Sequence, residues 1–149
     1  MKKLLLMLFA FSLFAAGCSR EDDKPQDLLL GSWKPVKYVM KHSLNGTPEV
    51  TTENVSICSQ QSRMNFETNG NGTSTTFSVK NSVCSQTDFT TFTYHYDTNT
   101  KKITINEGGT SSTQDVIILT SSTLVLSISD SFTMGDQTHH YVLETYLQK

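Results

Sequence analysis

Beyond residue 30 the chain alternates apolar and polar residues instead of grouping them at helical spacing. Trp33 to Lys41 sets Val36, Tyr38 and Met40 against Lys37, Val39 and Lys41. Met64 and Phe66 oppose Arg63, Asn65 and Glu67; Phe92, Tyr94 and Tyr96 oppose Thr91, Thr93 and His95. Leu124, Leu126 and Ile128 share one parity, and Tyr141, Leu143 and Leu147 oppose Val142, Glu144 and Tyr146. A period of two is that of half-buried strands. Between these runs lie Asn45–Pro48, Thr68–Gly72, Asp97–Lys101, Glu107–Ser112 and Met134–Asp136, rich in the Asn and Gly that hairpin turns require. Turns at intervals of roughly ten residues predict an all-β domain of about eight or nine antiparallel strands. Long open edges would pair with other chains, so a closed up-and-down barrel of about eight strands is expected.

The first residues follow another pattern. Lys2 and Lys3 precede an apolar run from Leu4 to Ala16, broken only by Ser12, and Ala15-Ala16-Gly17 lead into Cys18. A basic start, an apolar stretch and small residues describe a secretory signal peptide. The run is short of the roughly 20 residues that cross a bilayer as a helix. "LFAAGC" (Leu13–Cys18) resembles the lipobox of bacterial lipoproteins. That resemblance implies cleavage before Cys18, a diacylglycerol thioether on its sulfur and acylation, palmitate for instance, of the new amino terminus. Ser19 suits sorting to the outer membrane, on its periplasmic face or at the cell surface. The expected organisation is a signal peptide over 1–17, a lipidated tether over 18–28 and a barrel domain over 29–149. The tether, "SREDDKPQD" and its neighbours, is charged and has nothing to bury.

Charge narrows the function classes. Without Lys2 and Lys3, ten basic side chains face fourteen acidic ones, a net charge of −4, and no Lys or Arg lies between Glu107 and Gln148. Nucleic-acid binding needs a basic footprint, and none is visible. Cys58 and Cys84 lack the C-x-x-C spacing of zinc ligands, and export favours a disulfide between them. Such a bridge would pin the base of the Arg63–Lys80 hairpin. His42, His95, His139 and His140 read as strand-end residues; the adjacent His139 and His140 point to opposite faces and do not share an ion. No nucleophile elbow, H-E-x-x-H or phosphate loop is present, so neither a catalytic residue nor a metal or other cofactor is assigned. Glu144 is the one acid inside a strongly patterned strand, directed either into a polar cavity or out to water.

"LLLGSWKPVKY" (Leu28–Tyr38) resembles the opening of lipocalins and lipocalin-like domains, whose G-x-W lies where the chain enters the first strand. The F-x-x-N-G hairpin at Phe66–Gly70, the two cysteines and the aromatic last strand extend the resemblance from Leu28 to Lys149, to the small lipocalin-like domains of bacterial lipoproteins. It implies that Trp33 plugs the closed end and that Gly31 permits close packing there. Lipocalins also carry a late Arg over this Trp; the late strands here have none. By the same resemblance the barrel takes a small hydrophobic or amphipathic ligand, with Phe92, Tyr94, Tyr96, Tyr141 and Leu143 as lining. The alternative is a non-catalytic interaction lipoprotein whose core is filled by Trp33, Phe66, Tyr94 and Leu126 and which contacts envelope proteins or glycans. An open-mouthed cavity of about 300 Å³ or more would favour the ligand.

Overall fold

The structure, a computed structural model, describes residues 24–149. The signal peptide and the lipidation site at Cys18 lie outside the described residues. A single helical turn, α1 (Pro25–Leu29), leads into nine strands: β1 (Gly31–Leu44), β2 (Thr47–Asn54), β3 (Arg63–Phe66), β4 (Asn71–Lys80), β5 (Val83–Asp97), β6 (Lys102–Glu107), β7 (Thr110–Leu119), β8 (Thr123–Met134) and β9 (Gln137–Gln148). A 3-10 turn at Ser59–Gln61 separates β2 from β3. Folded chain therefore begins before residue 29: Pro25, its φ already helical, starts α1 inside the segment assigned to the tether.

Every neighbouring pair is antiparallel, and β1 pairs with β9 to close the sheet into a barrel. Eight positions surround the axis although there are nine strands, because β2 and β3 share one flank of β1. The start of β1 pairs with β3 (Trp33 opposite Met64), and its second half pairs with β2 (Lys37 to Leu44). Between them Pro35 lacks an amide donor, and the β1–β9 register slips between Pro35 and Lys37.

The ring is complete at one end only. β3 stops opposite Thr75 of β4, β6 accompanies β5 no further than Phe92, and β7 leaves β8 after Asp115/Ser127. Beyond those points the β4–β5 hairpin rises as one arm and β2–β1–β9–β8 as the other. A disulfide joins Cys58, just before the 3-10 turn, to Cys84 near the tip of the β4–β5 arm, the pairing that export favoured.

Core and closed end coincide. Leu29, Trp33, Phe66, Phe92, Tyr94, Tyr96, Ile103, Ile105, Val116, Leu124, Leu126 and Leu147 form one buried cluster. Phe66 meets Phe92 and Tyr94 edge-on, with centroids 5.6 and 4.9 Å apart, a favoured aromatic geometry. Gly72 makes this possible: a Cβ there would lie 2.3 Å from the Phe92 ring and 2.5 Å from the Asn65 carbonyl.

Candidate functional site

Trp33, expected as the plug, is fully buried in the core cluster. Its indole N–H donates to the Leu29 carbonyl at 2.7 Å, tying the plug to α1. Gly31 has φ +111°, a left-handed conformation that favours glycine, and sits against the Lys149 side chain. The Lys149 ammonium lies 4.7 Å from the Trp33 ring centroid and donates to the Leu28 carbonyl at 2.9 Å. A cation thus covers the indole even though the late strands contain no Arg. It comes from the last residue of the chain, which strand reading does not assign to any face.

The three aromatics of β5 do not border the upper cavity; Phe92 and Tyr96 reach only separate hollows elsewhere. Phe92, Tyr94 and Tyr96 are each at most 7% exposed and belong to the packed cluster. The physical reason is packing at this level: Phe66 meets Phe92 and Tyr94 edge-on, and Ile103 stands opposite Tyr96 on the neighbouring strand β6. Tyr94 is also fixed through both of its polar ends: its hydroxyl donates to the Glu67 carbonyl at 2.6 Å and its amide to the Gly70 carbonyl at 2.7 Å. Burial, with Glu67 nearby, raises the Tyr94 phenol above the ordinary tyrosine range.

Above this floor the inward faces leave space. A cavity of about 300 Å³ is lined on one side by Pro35, Tyr38, Met64 and Leu147 and on another by β4, with the hydroxyl residues Ser74, Thr76 and Ser78 beside Phe77; Arg63 also borders it, its guanidinium donating to the Gln60 and Ser62 carbonyls. Ser59 and Ser62, on the segment that the disulfide holds, close its side. A second hollow of about 320 Å³ continues toward the mouth between Tyr38, Met40, Thr51, Glu53 and Leu143. Leu143, one of the expected lining residues, borders this hollow. Tyr38, Met40 and Met64 were legible as inward positions but not as lining.

Tyr141 sits higher, in a ladder of parallel rings. Its ring stacks on His42 at 4.5 Å, His139 stacks on Phe132 at 4.9 Å, and the His42 and His139 rings lie within 9° of parallel. His42 Nε2 and His139 Nδ1 are 3.1 Å apart. His139 is not an exposed strand-end residue: its Nε2 is buried without a partner, because the flanking rings of neighbouring strands cover it. Among the described residues no three His, Cys, Asp or Glu side chains converge as a metal site.

Glu144 points neither into the cavity nor freely into water. It lies on the outer face at the seam where β9 meets β1, 8% exposed, paired with Lys41 and accepting from the Tyr146 hydroxyl at 3.2 Å. The Glu144 carboxylate holds the Lys41 ammonium above the usual lysine range. Lys37 lies over the Tyr146 ring, 3.9 Å from its centroid.

These features define a small antiparallel barrel, plugged by an indole at one end and hollow toward the other. The sequence profile of the Lipocalin-like domain family matches residues 29–126, more than half of the chain, and the protein belongs to that family. Its fold is similar to a deswapped triple mutant of bovine odorant binding protein, at 10% identity and TM-score 0.41, covering 82% of this chain and 74% of that one. It is also similar to aphrodisin, a sex pheromone from female hamster, at 12% identity and TM-score 0.35, covering 78% and 74%. No curated protein sequence matches it.

Proposed function

We propose that the protein is a non-catalytic binding module that holds a small, uncharged, amphipathic molecule in the upper half of the barrel. One observation carries this: the cavity of about 300 Å³ lined by Met64 and Leu147 on one side and by the hydroxyl residues Ser74 and Thr76 on another. Its volume falls at the lower limit of ligand sites, about 300–1,000 Å³, and its two walls suit a molecule with one apolar and one polar edge. The filled-core alternative describes the floor, where Trp33, Phe66, Tyr94 and Leu126 are packed, but not the space above it.

We place this module in the cell envelope through a lipid on Cys18, on the strength of the lipobox-like Leu13–Cys18. The fold begins at the plugged end, where α1 leads into Trp33. Only the residues between Cys18 and Pro25 would separate the lipid from the barrel, a reach of about 25 Å at most when fully extended. The plug would then face the bilayer and the mouth would face away from it.

Binding is tested with N-phenyl-1-naphthylamine, a neutral apolar dye that fluoresces when removed from water. Saturable enhancement by the purified domain, lost in a Met64→Asp variant that still melts cooperatively, supports the reading. No enhancement with wild-type protein and with a range of neutral competitors overturns it. The anchor is tested separately by radiolabelled palmitate incorporation, which Cys18→Ala should abolish.

A further inference from the structure

Tyr38 is the one residue that lines both hollows. Either hollow alone is at the small end for a ligand site, and the two together lie well inside the range. The inner one ends on Met64 and Leu147; the outer one continues along Met40 and Leu143. Their apolar sides are continuous, because Met40 and Leu143 are cross-strand partners on the same inward face as Tyr38.

Tyr94 donates to the Glu67 carbonyl and Tyr146 to the Glu144 carboxylate. The Tyr38 hydroxyl, like those of Tyr96 and Tyr141, makes no side-chain hydrogen bond among the described residues, and of these three only Tyr38 lines both hollows. Glu53 stands opposite it in register on β2, and burial together with that negative charge keeps the phenol protonated. A donor without a protein acceptor thus stands where the two hollows meet; water can reach it in the free protein, and a ligand that covers it without supplying an acceptor would leave it unmatched at a cost.

Resting on the ligand-binding reading above, we infer that the site takes an elongated neutral molecule that threads past Tyr38, with a hydrogen-bond acceptor in its middle met by the Tyr38 hydroxyl and apolar ends in the two chambers. Tyr38 is then the residue that selects for that central acceptor, and the outer chamber selects for length.

The experiment uses displacement of N-phenyl-1-naphthylamine by mid-chain ketones and by alkanes of equal length. For wild-type protein, affinity should rise from hexanone through dodecanone by roughly three- to fourfold per methylene, the value of an added buried CH₂. Tyr38→Phe keeps the ring and removes only the hydroxyl. It should weaken dodecanone about three- to tenfold, the worth of one neutral hydrogen bond, and leave dodecane unchanged. Equal dodecanone binding by Tyr38→Phe and wild type overturns the central acceptor. Affinity that stops rising at hexanone overturns the two-chamber path. If the dye binds and neither effect appears, this inference fails while the binding module stands; if wild-type protein binds no dye, the binding reading fails first.

Discussion

The closed and open ends of this barrel are made by the same faces of the same strands, yet one is solid and the other hollow. Along β1 the inward positions run from Trp33 at the plug to Tyr38 and Met40 toward the mouth; along β9 they run from Leu147 to Leu143 and Tyr141. The closed-end members are almost inaccessible, Trp33 at 0% and Leu147 at 4%, while Met40 is 49% and Leu143 36% exposed. Side-chain size does not explain the contrast, since Met and Leu occur at both levels. Strand pairing does. Where β3, β6 and β7 complete the ring, opposite walls come within reach of one another; where they end, the two arms part. Hydrophobicity along a strand sets which face turns inward, and the lengths of neighbouring strands set whether that face is filled.

The sharpest test of the contrast is Trp33→Ala. Removing a fully buried indole at the plug should cost about 3–5 kcal/mol. It also releases the Leu29 carbonyl and leaves Lys149 without the ring it covers. Thermal unfolding should show a large drop in Tm, and a melting curve that barely moves would remove the plug from the account.

Opening the Cys58–Cys84 bridge should come next. It spans a separation of 26 residues, and a loop of that length is worth roughly 2–4 kcal/mol. This loss differs in kind from that of the plug, because the bridge fastens the arms and not the floor. A Cys58→Ser/Cys84→Ser variant should melt earlier and bind the dye more weakly, since Ser59 and Ser62 form part of the cavity wall. Its Trp33 fluorescence should keep the emission of a buried indole. A red-shifted Trp33 in the native state of that variant would show that the two ends are not independent.

Gly72→Ala probes the floor on a smaller scale. The added methyl would meet both the Phe92 ring and the Asn65 carbonyl, and overpacking of this kind costs about 1–3 kcal/mol. Stability should fall while dye affinity stays, because Gly72 lies below the cavity.

Much of this division was readable in the chain and part of it was not. Alternation is a local signal, so Tyr38 and Met40 were placed on one face of β1 and Phe92, Tyr94 and Tyr96 on one face of β5, in agreement with the structure. The Gly31-Ser32-Trp33 start marked the plug only through its resemblance to the G-x-W of lipocalin-like domains; the positive φ of Gly31 became visible in the structure. What alternation cannot convey is the distance across the barrel. That distance depends on where β3, β6 and β7 stop, which is a property of partners remote in sequence. The β5 aromatics, expected as lining, are therefore packed into the buried cluster and do not border the cavity above it. The same limit hid Lys149 over Trp33 and the contact of His42 with His139, which lie 97 residues apart. Glu144 stood out in its strand, but only the β1–β9 closure reveals that its partner is Lys41.

That closure supplies a gentler perturbation. Glu144→Gln keeps the shape and removes the charge at a seam that Lys41 reaches from solvent. Only a small drop in Tm is expected, because solvent screens the Lys41 side of the pair. Because the folded state raises the Lys41 pKa, its share of stability is fully present below the ordinary value of about 10.5 and is lost as pH rises through the raised one. Wild type and Glu144→Gln should therefore converge in Tm under strongly alkaline conditions. A gap that persists there would assign the effect to packing.

The smallest effect on stability, and the most telling for function, should come from Met40→Thr. Met40 is half exposed at the mouth, and its loss removes little surface that folding buries. The expected change is within about 0.5 kcal/mol, as for other open positions. Ligand binding should respond out of proportion, because Met40 forms the apolar side of the outer chamber with Leu143. Dye titration and melting on the same preparation give both numbers. Weakened binding at unchanged Tm would separate the two ends of the barrel by function, since every floor substitution above should do the reverse. Loss of both together would mean that the mouth contributes to the core, and the hollow could no longer be treated as space kept open by the arms.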